Sequence, residues 1–227
     1  MPAPVTVVRN CAWAITRADG ETVHGYRQAV DVAFAGGTIT HVGPAYDGPA
    51  DVVVDGRRTL VMPGLVNVHC HSGDEPIAKG LFEDVGTAAL WGNALYEFSA
   101  LVDSDADAKD ACQIVMLADL MRSGVTSCLD IAGVHPHWLS LAAQSGMRTW
   151  LAPGFREAAW RMEGSHRLDF EWNVARGRER YQEALRFIDE ARAHPCGRIE
   201  GVVAPSQIET CSEVLLQEAA AAARARG

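Results

Sequence analysis

This sequence predicts an α/β protein with a small all-β subdomain in front of it, on three observations. Up to about residue 60 the chain alternates short apolar runs with turn residues. From Val61 onward, short apolar runs alternate with long helix-like stretches, about four times over. Between the two patterns lies Val61 to Lys79, VMPGLVNVHCHSGDEPIAK, in which an apolar run ends in His69-Cys70-His71. Small strands punctuated by turns read as a β-module over residues 1–60. Repeated strand-then-helix units over 61–227 read as a parallel sheet with helical cover.

Residues Val5 to Ile15 read as one strand. Ala29–Phe34 and Thr38–Val42 flank Gly36-Gly37, and glycines there permit the positive φ angles of a tight hairpin. Asp51–Val54, the turn Asp55-Gly56 and Thr59–Met62 read as a further strand pair. Pro63-Gly64 turns the chain into Leu65-Val66-Asn67-Val68, a short buried strand by its apolar run. Alternate side chains share a face in a strand, so His69 and His71 should point one way and Cys70 the other. A long connection covers 72–90. Helices are expected near 89–100 and 105–123, the second opened by capping residues Asp103-Ser104-Asp105 and stopped by Gly124. There follow a strand over 125–131, a short helix over 136–145 and a strand over 147–152. An irregular insert over 153–172, a helix over 173–194, a strand over 199–204 and a helix over 211–226 complete the pattern. No GxGxxG follows the first strand of the α/β part, which tells against a dinucleotide fold.

The 227 residues carry 29 acidic against 20 basic side chains, a net charge of −9, which argues against a nucleic-acid surface. No run approaches the ~18 apolar residues that a membrane span needs. The six cysteines form no CxxC, and most lie within apolar patterns, so they read as reduced, buried thiols of a cytoplasmic protein.

The chemistry concentrates on His69 and His71. Two imidazoles at a strand end are a natural ligand pair for zinc or another divalent metal that favours imidazole, iron included. The pair sits at the C-terminal end of an apolar strand, where α/β barrels keep their active sites. The stretch PGLVNVHCH, followed by Lys79-Gly80 and the helix around Trp91, resembles the first barrel strand of the amidohydrolase superfamily, in its cytosine deaminase-like and triazine hydrolase-like branch. The resemblance implies a partial (β/α)8 barrel of about four βα units beside a small N-terminal β-sandwich. It also implies a catalytic metal on His69 and His71 and a hydrolase that cleaves a C–N bond, or deaminates, on a cyclic small molecule. A complete barrel needs eight units, so the chain reads as the N-terminal portion of such an enzyme, inactive alone. Its expected partners are a missing C-terminal half or further copies of itself. The competing reading is a non-catalytic half-barrel that serves as a binding or assembly module.

In this family the remaining metal ligands come from later strands, so no catalytic acid or base is assigned here. Ala204 to Ser212, APSQIETCS, resembles a family stretch of the form APHAPYTCS, in which the histidine contacts substrate. Ser206 stands at that place, which tells against ordinary purine or pyrimidine deamination. Ser206 and Gln207 are the candidates to hydrogen-bond a substrate amide, while Thr210 or Ser212 is expected to cap the next helix. No lysine lies within 198–212, which tells against the binuclear subtype bridged by a carboxylated lysine. Trp91, with Trp160 and Trp172, follows strands of the barrel and could stack on a flat heterocycle. His135 and His137 are expected in a loop or lining the pocket, and Glu200 on a strand flank.

Overall fold

The computed structural model describes residues 2–17, 22–78, 106–163 and 167–227. The helix expected near 89–100, the cap at Asp103-Ser104-Asp105 and Trp91 lie outside the described residues. The chain divides into two compact units, Met1–Gly64 and Leu65–Gly227.

The first unit holds seven strands among its described residues: β1 (Val5–Cys11), β2 (Trp13–Thr16), β3 (Gly25–Arg27), β4 (Val30–Ala35), β5 (Thr38–Gly43), β6 (Val52–Asp55) and β7 (Leu60–Val61). They form two sheets, ordered β5-β4-β1-β6 and β3-β2-β7. The single strand expected over 5–15 is broken in two. Asn10 takes a positive φ of 54°, which asparagine tolerates better than most residues. The ladder slips there, and the chain crosses from one sheet to the other. The strands expected to pair with each other, near 51–54 and 59–62, do not pair. β6 runs parallel to β1, and β7 runs parallel to β2. The Gly36-Gly37 hairpin forms as expected, with Gly36 at φ 56°.

A buried carboxylate ties this unit together. Asp31 accepts from Arg9 Nη1 at 2.6 Å, from the Asn10 amide at 2.7 Å and from the Tyr46 amide at 2.8 Å. Burial pushes its pKa up, but the hydrogen bonds from Tyr46, Asn10 and Arg9 together outweigh burial and leave the pKa lowered. A carboxyl with a depressed folded pKa stabilises the fold above its unfolded pKa, about 3.9, and loses that contribution as pH falls through the folded value. We expect Asp31→Asn to destabilise the chain at pH 7. The gap to wild type should close below about pH 4 in urea titrations; a gap of constant size from pH 7 to 3 would refute this linkage.

The second unit is built from β8 (Leu65–Cys70), α1 (Glu75–Ala78), α2 (Ala106–Arg122), β9 (Val125–Ala132), α3 (Trp138–Ser145), β10 (Arg148–Phe155), β11 (Ala158–Glu163), β12 (Arg167–Trp172), α4 (Val174–Arg192), β13 (Ile199–Gly201), β14 (Ala204–Pro205) and α5 (Glu213–Arg226). The main sheet is parallel throughout, ordered β13-β10-β9-β8, with β14 also on β10. The strand expected over 199–204 is split into β13 and β14. Thr149 donates to Arg198, Val202 donates to Leu151 and Ser206 donates to Phe155, so odd-numbered residues of β10 bond to this side. Pro153 falls in that series and has no N–H to give, and the ladder lapses there. The insert over 153–172 is not irregular: its centre is the antiparallel hairpin β11–β12.

Helices cover one face of the sheet. Cys70, Val125 and Cys128 pack under Met116 and Leu117 of α2. Leu151 and Ile199 pack against Trp138, Ala142, Phe187 and Ala191 of α3 and α4. Phe155 packs with Tyr181 and Ala184 of α4 and Leu215 and Ala219 of α5. Helix α4 comes so close to the chain that a Cβ on Gly177 would lie 2.5 Å from Glu157 Cγ and 2.8 Å from its Cα, so only glycine fits. Ser212 caps α5 through its oxygen, 3.2 Å from the Leu215 amide, as expected. Thr210 does not cap; its hydroxyl donates to the Gln207 carbonyl at 3.0 Å.

Among the described residues no helix covers the opposite face. Leu129 and Trp150 pair in register and alternate with the helix-facing Cys128, Asp130 and Leu151, and Trp150 is exposed. Strand β8, expected to be buried, has Leu65, Val66 and Val68 49, 62 and 71 % exposed. Its apolar run is that of a buried strand, but among the described residues no strand pairs with its outer edge.

Candidate metal centre

A bulge in β8 re-aims the strand end that carries the histidines. The β8–β9 ladder pairs Asn67 with Cys128 and Cys70 with Asp130, so β8 holds one extra residue over that interval. Bulges of this kind re-aim side chains beside functional sites. Cys70 then turns to the helix side and is buried, while His69 and His71 are exposed. Their Nε2 atoms stand 3.0 Å apart with the rings edge-on. Two ligands of a tetrahedral zinc at ~2.05 Å would have their nitrogens about 3.3 Å apart, so a small opening of the pair admits the ion.

The tautomer of His71 follows from its other nitrogen. Nδ1 lies 2.7 Å from the Ile131 carbonyl, which can only accept, so Nδ1 carries the proton and Nε2 offers its lone pair. Histidine ligands ordinarily have this support behind them. Cys70 is no competitor. Its contact with Cys128 raises its thiol pKa, and burial and the charge of Asp130 push it further up, well above the range in which a thiolate forms near neutral pH.

Asp130, which belongs to no motif, anchors the loop behind the pair. It is buried and accepts from the Ser72 amide at 2.9 Å, the Ser72 hydroxyl at 2.5 Å and Trp138 Nε1 at 2.7 Å. One carboxylate thus binds the residue after His71 to β9 and α3. The only sequence signal was an acid inside an otherwise apolar strand, a pattern equally typical of a strand flank.

The other candidates are scattered. His135 is buried and stacks on Trp138 at 5.5 Å between ring centroids. Its Nδ1 lies 3.6 Å from Asp110, and its Nε2 is buried with no hydrogen-bond partner among the described residues. His137 is exposed and pairs with Asp110 at 2.6 Å. Glu200 pairs with Arg192 at 3.4 Å. Ser206 has its hydroxyl where a Cβ on Gly154 would come within 3.0 Å, and Gln207 Oε1 is buried with no partner among the described residues. Trp160 carries Arg156 over its ring at 4.8 Å, while Trp172 is exposed. Among the described residues no three of His, Cys, Asp and Glu converge as a metal site.

No family model matches the chain. It is 28 % identical over 198 residues to the 5'-deoxyadenosine deaminase of Methanosarcina mazei, covering 86 % of this chain and 42 % of that one. Its fold matches triazine hydrolase of Arthrobacter aurescens with a TM-score of 0.70 at 18 % identity, over 96 % of this chain and 51 % of the other. An adenosine deaminase of Xanthomonas campestris with bound zinc matches at 0.69 and 17 % identity, over 99 % and 48 %. The chain thus spans about half the length of the proteins it matches, and its open sheet of four βα units is a partial barrel of their type. In sequence kinship and in fold alike, the chain resembles the amidohydrolase superfamily over about half of its members' length.

Proposed function

We propose that this chain carries the metal-binding strand of a hydrolase that deaminates, or otherwise cleaves a C–N bond of, a heterocyclic small molecule. The observation that carries this reading is the convergence of two Nε2 atoms at the C-terminal end of a parallel strand, one with its tautomer set by the Ile131 carbonyl. His69 and His71 would hold a divalent ion, zinc by their donor type and by the zinc bound in a structural neighbour. Such an ion supplies an acidified water for attack on the ring carbon. The chain's own groups bind and orient. His71 keeps its proton on Nδ1, and Asp130 and Ser72 hold the loop behind it. The Gln207 side-chain Oε1, without a partner among the described residues, and the Ser206 hydroxyl are the groups to accept from, or donate to, a substrate amide.

Two imidazoles leave at least half of a tetrahedral shell unfilled. On this reading the chain alone binds zinc weakly and turns over cytosine-, triazine- or hydantoin-like compounds negligibly. Equilibrium dialysis with zinc and an ammonia-release assay test this directly. No zinc retained above a His69→Ala control would overturn the metal reading. Turnover at ordinary enzymatic rates would show that a residue of this chain completes the site. The lack of a third converging ligand among the described residues favours a second reading, in which the chain binds or assembles without catalysing.

A further inference from the structure

We infer that Gly154 is a positioning residue for substrate recognition. Its missing side chain seats the Ser206 hydroxyl over the end of β10, where the hydroxyl meets an amide edge of a ring substrate. This rests on the reading of Ser206 as a substrate-binding residue and adds the residue that sets its aim.

The glycine is not there for its backbone. Gly154 lies in β10, and its φ falls outside the left-handed region that only glycine adopts freely. A glycine inside a strand costs stability, and it often marks a place where another group must approach closely. Among the described residues a Cβ here would meet two atoms within 4 Å, Ser206 Oγ at 3.0 Å and the Ala132 carbonyl oxygen at 3.6 Å. The first distance is tighter than ordinary van der Waals contact. It is therefore the hydroxyl of Ser206 that the bare Cα accommodates.

Both partners are pinned except at one bond. Gly154 pairs with Ala204 and Phe155 with Pro205 across the β10–β14 ladder, and the Ser206 amide donates to the Phe155 carbonyl at 3.0 Å. The remaining freedom is χ1 of Ser206, which has three staggered wells. A methyl group on residue 154 would push Oγ out of its present well and turn the hydroxyl elsewhere, with the backbone left in place. The direction matters because of where Gly154 faces. Leu151 and Phe155 of β10 pack against the helices. Gly154 alternates with Phe155 and faces the other way, as His69 and His71 do opposite the helix-facing Cys70. Strands β8 and β10 flank β9 in the parallel sheet. The hydroxyl and the two imidazoles thus share one face and one end of the sheet, two strand spacings apart, about 10 Å. A flat ring held at the histidine end can reach Ser206 with an edge that carries a carbonyl or an N–H, for which a hydroxyl is both donor and acceptor.

The test uses the full chain with zinc, titrated with cytosine and with hydantoin by isothermal calorimetry, beside urea denaturation of each variant. We expect Ser206→Ala to weaken binding of the ring about 5- to 10-fold, as loss of one hydrogen bond does. Gly154→Ala should weaken it as much, and the double variant no more than either. Gly154→Ala should at the same time keep its zinc and unfold at the same or a higher urea concentration, because alanine lowers the entropy of the unfolded chain. A Gly154→Ala variant that binds both rings like wild type would overturn the inference and leave the reading of Ser206 intact. So would a crystal structure of that variant with Ser206 in its present rotamer, or a loss of affinity matched by a loss of stability. Equal affinity of wild type and Ser206→Ala, or no binding of either ring by a wild type that holds zinc, would overturn the substrate reading of Ser206 and this inference with it. A wild type that holds no zinc, yet binds a ring that both variants lose, would overturn the metal reading and leave the role of Gly154 standing.

Discussion

Replacing His69 or His71 with alanine should strip the chain of divalent metal, whereas Cys70→Ala should leave metal content unchanged. The expectation follows from where the three side chains go. The two Nε2 atoms converge to 3.0 Å on the exposed side, and Cys70 lies buried in the cluster with Met116, Leu117 and Cys128. Removing one imidazole leaves a single protein ligand, which water and buffer readily displace. We expect bound zinc to fall to the level of the double histidine variant in either single variant, measured by elemental analysis after dialysis. His71→Ala should be at least as severe as His69→Ala, because only His71 has its lone pair directed by a hydrogen bond on the other nitrogen. Cys70→Ala should cost stability through the lost buried sulfur and keep its zinc. Equal zinc in wild type and the double variant would sink the assignment, and so would zinc lost on Cys70→Ala alone in a chain that still folds.

The largest stability effect should come from Asp130→Ala. That substitution removes the acceptor for the Ser72 amide, the Ser72 hydroxyl and Trp138 Nε1 in one step, at a position 1 % exposed. Each buried donor left without a partner costs about 1–3 kcal/mol. Allowing for local relaxation, we expect a loss of roughly 3–5 kcal/mol, in the range seen when one partner of a buried charged network is removed. In a unit of this size that corresponds to a fall in Tm of roughly 10 °C. Asp130→Asn keeps an acceptor oxygen and should lose less. The same substitution should weaken zinc binding by about 10- to 100-fold, because Ser72 follows His71 directly and its anchorage sets where that ring sits. Urea denaturation together with zinc titration checks both effects. A variant that unfolds normally and binds zinc like wild type would show that Asp130 positions nothing.

The features legible in the order of residues are those that depend on near neighbours. The alternation of strands and helices after Val61, the Gly36-Gly37 hairpin, the cap at Ser212 and the placing of two histidines at a strand end all follow from residues a few positions apart. Their physics is short-ranged: pleat alternation, left-handed turn residues, side chain to backbone capping. Which strands pair was not legible, because pairing depends on groups far apart in the chain. β6 and β7 look like partners but pair with different sheets, and β13 parts from β14 where Pro153 on β10 withholds an N–H. The hairpin β11–β12 was hidden because its strands carry charged residues at most alternate positions and so lack an apolar run. Asp130 belongs to no motif, and only the fold brings Ser72 and Trp138 to it. The apolar run Leu65–Val68 correctly announced a strand that needs cover. It is the folded chain that sets the described helices of this unit on one face of its sheet and leaves β8, among the described residues, with an unpaired outer edge and exposed valines. Hydrophobic sequence records how much surface must be hidden from water, while the partner that hides it is chosen by contacts between distant parts of the chain.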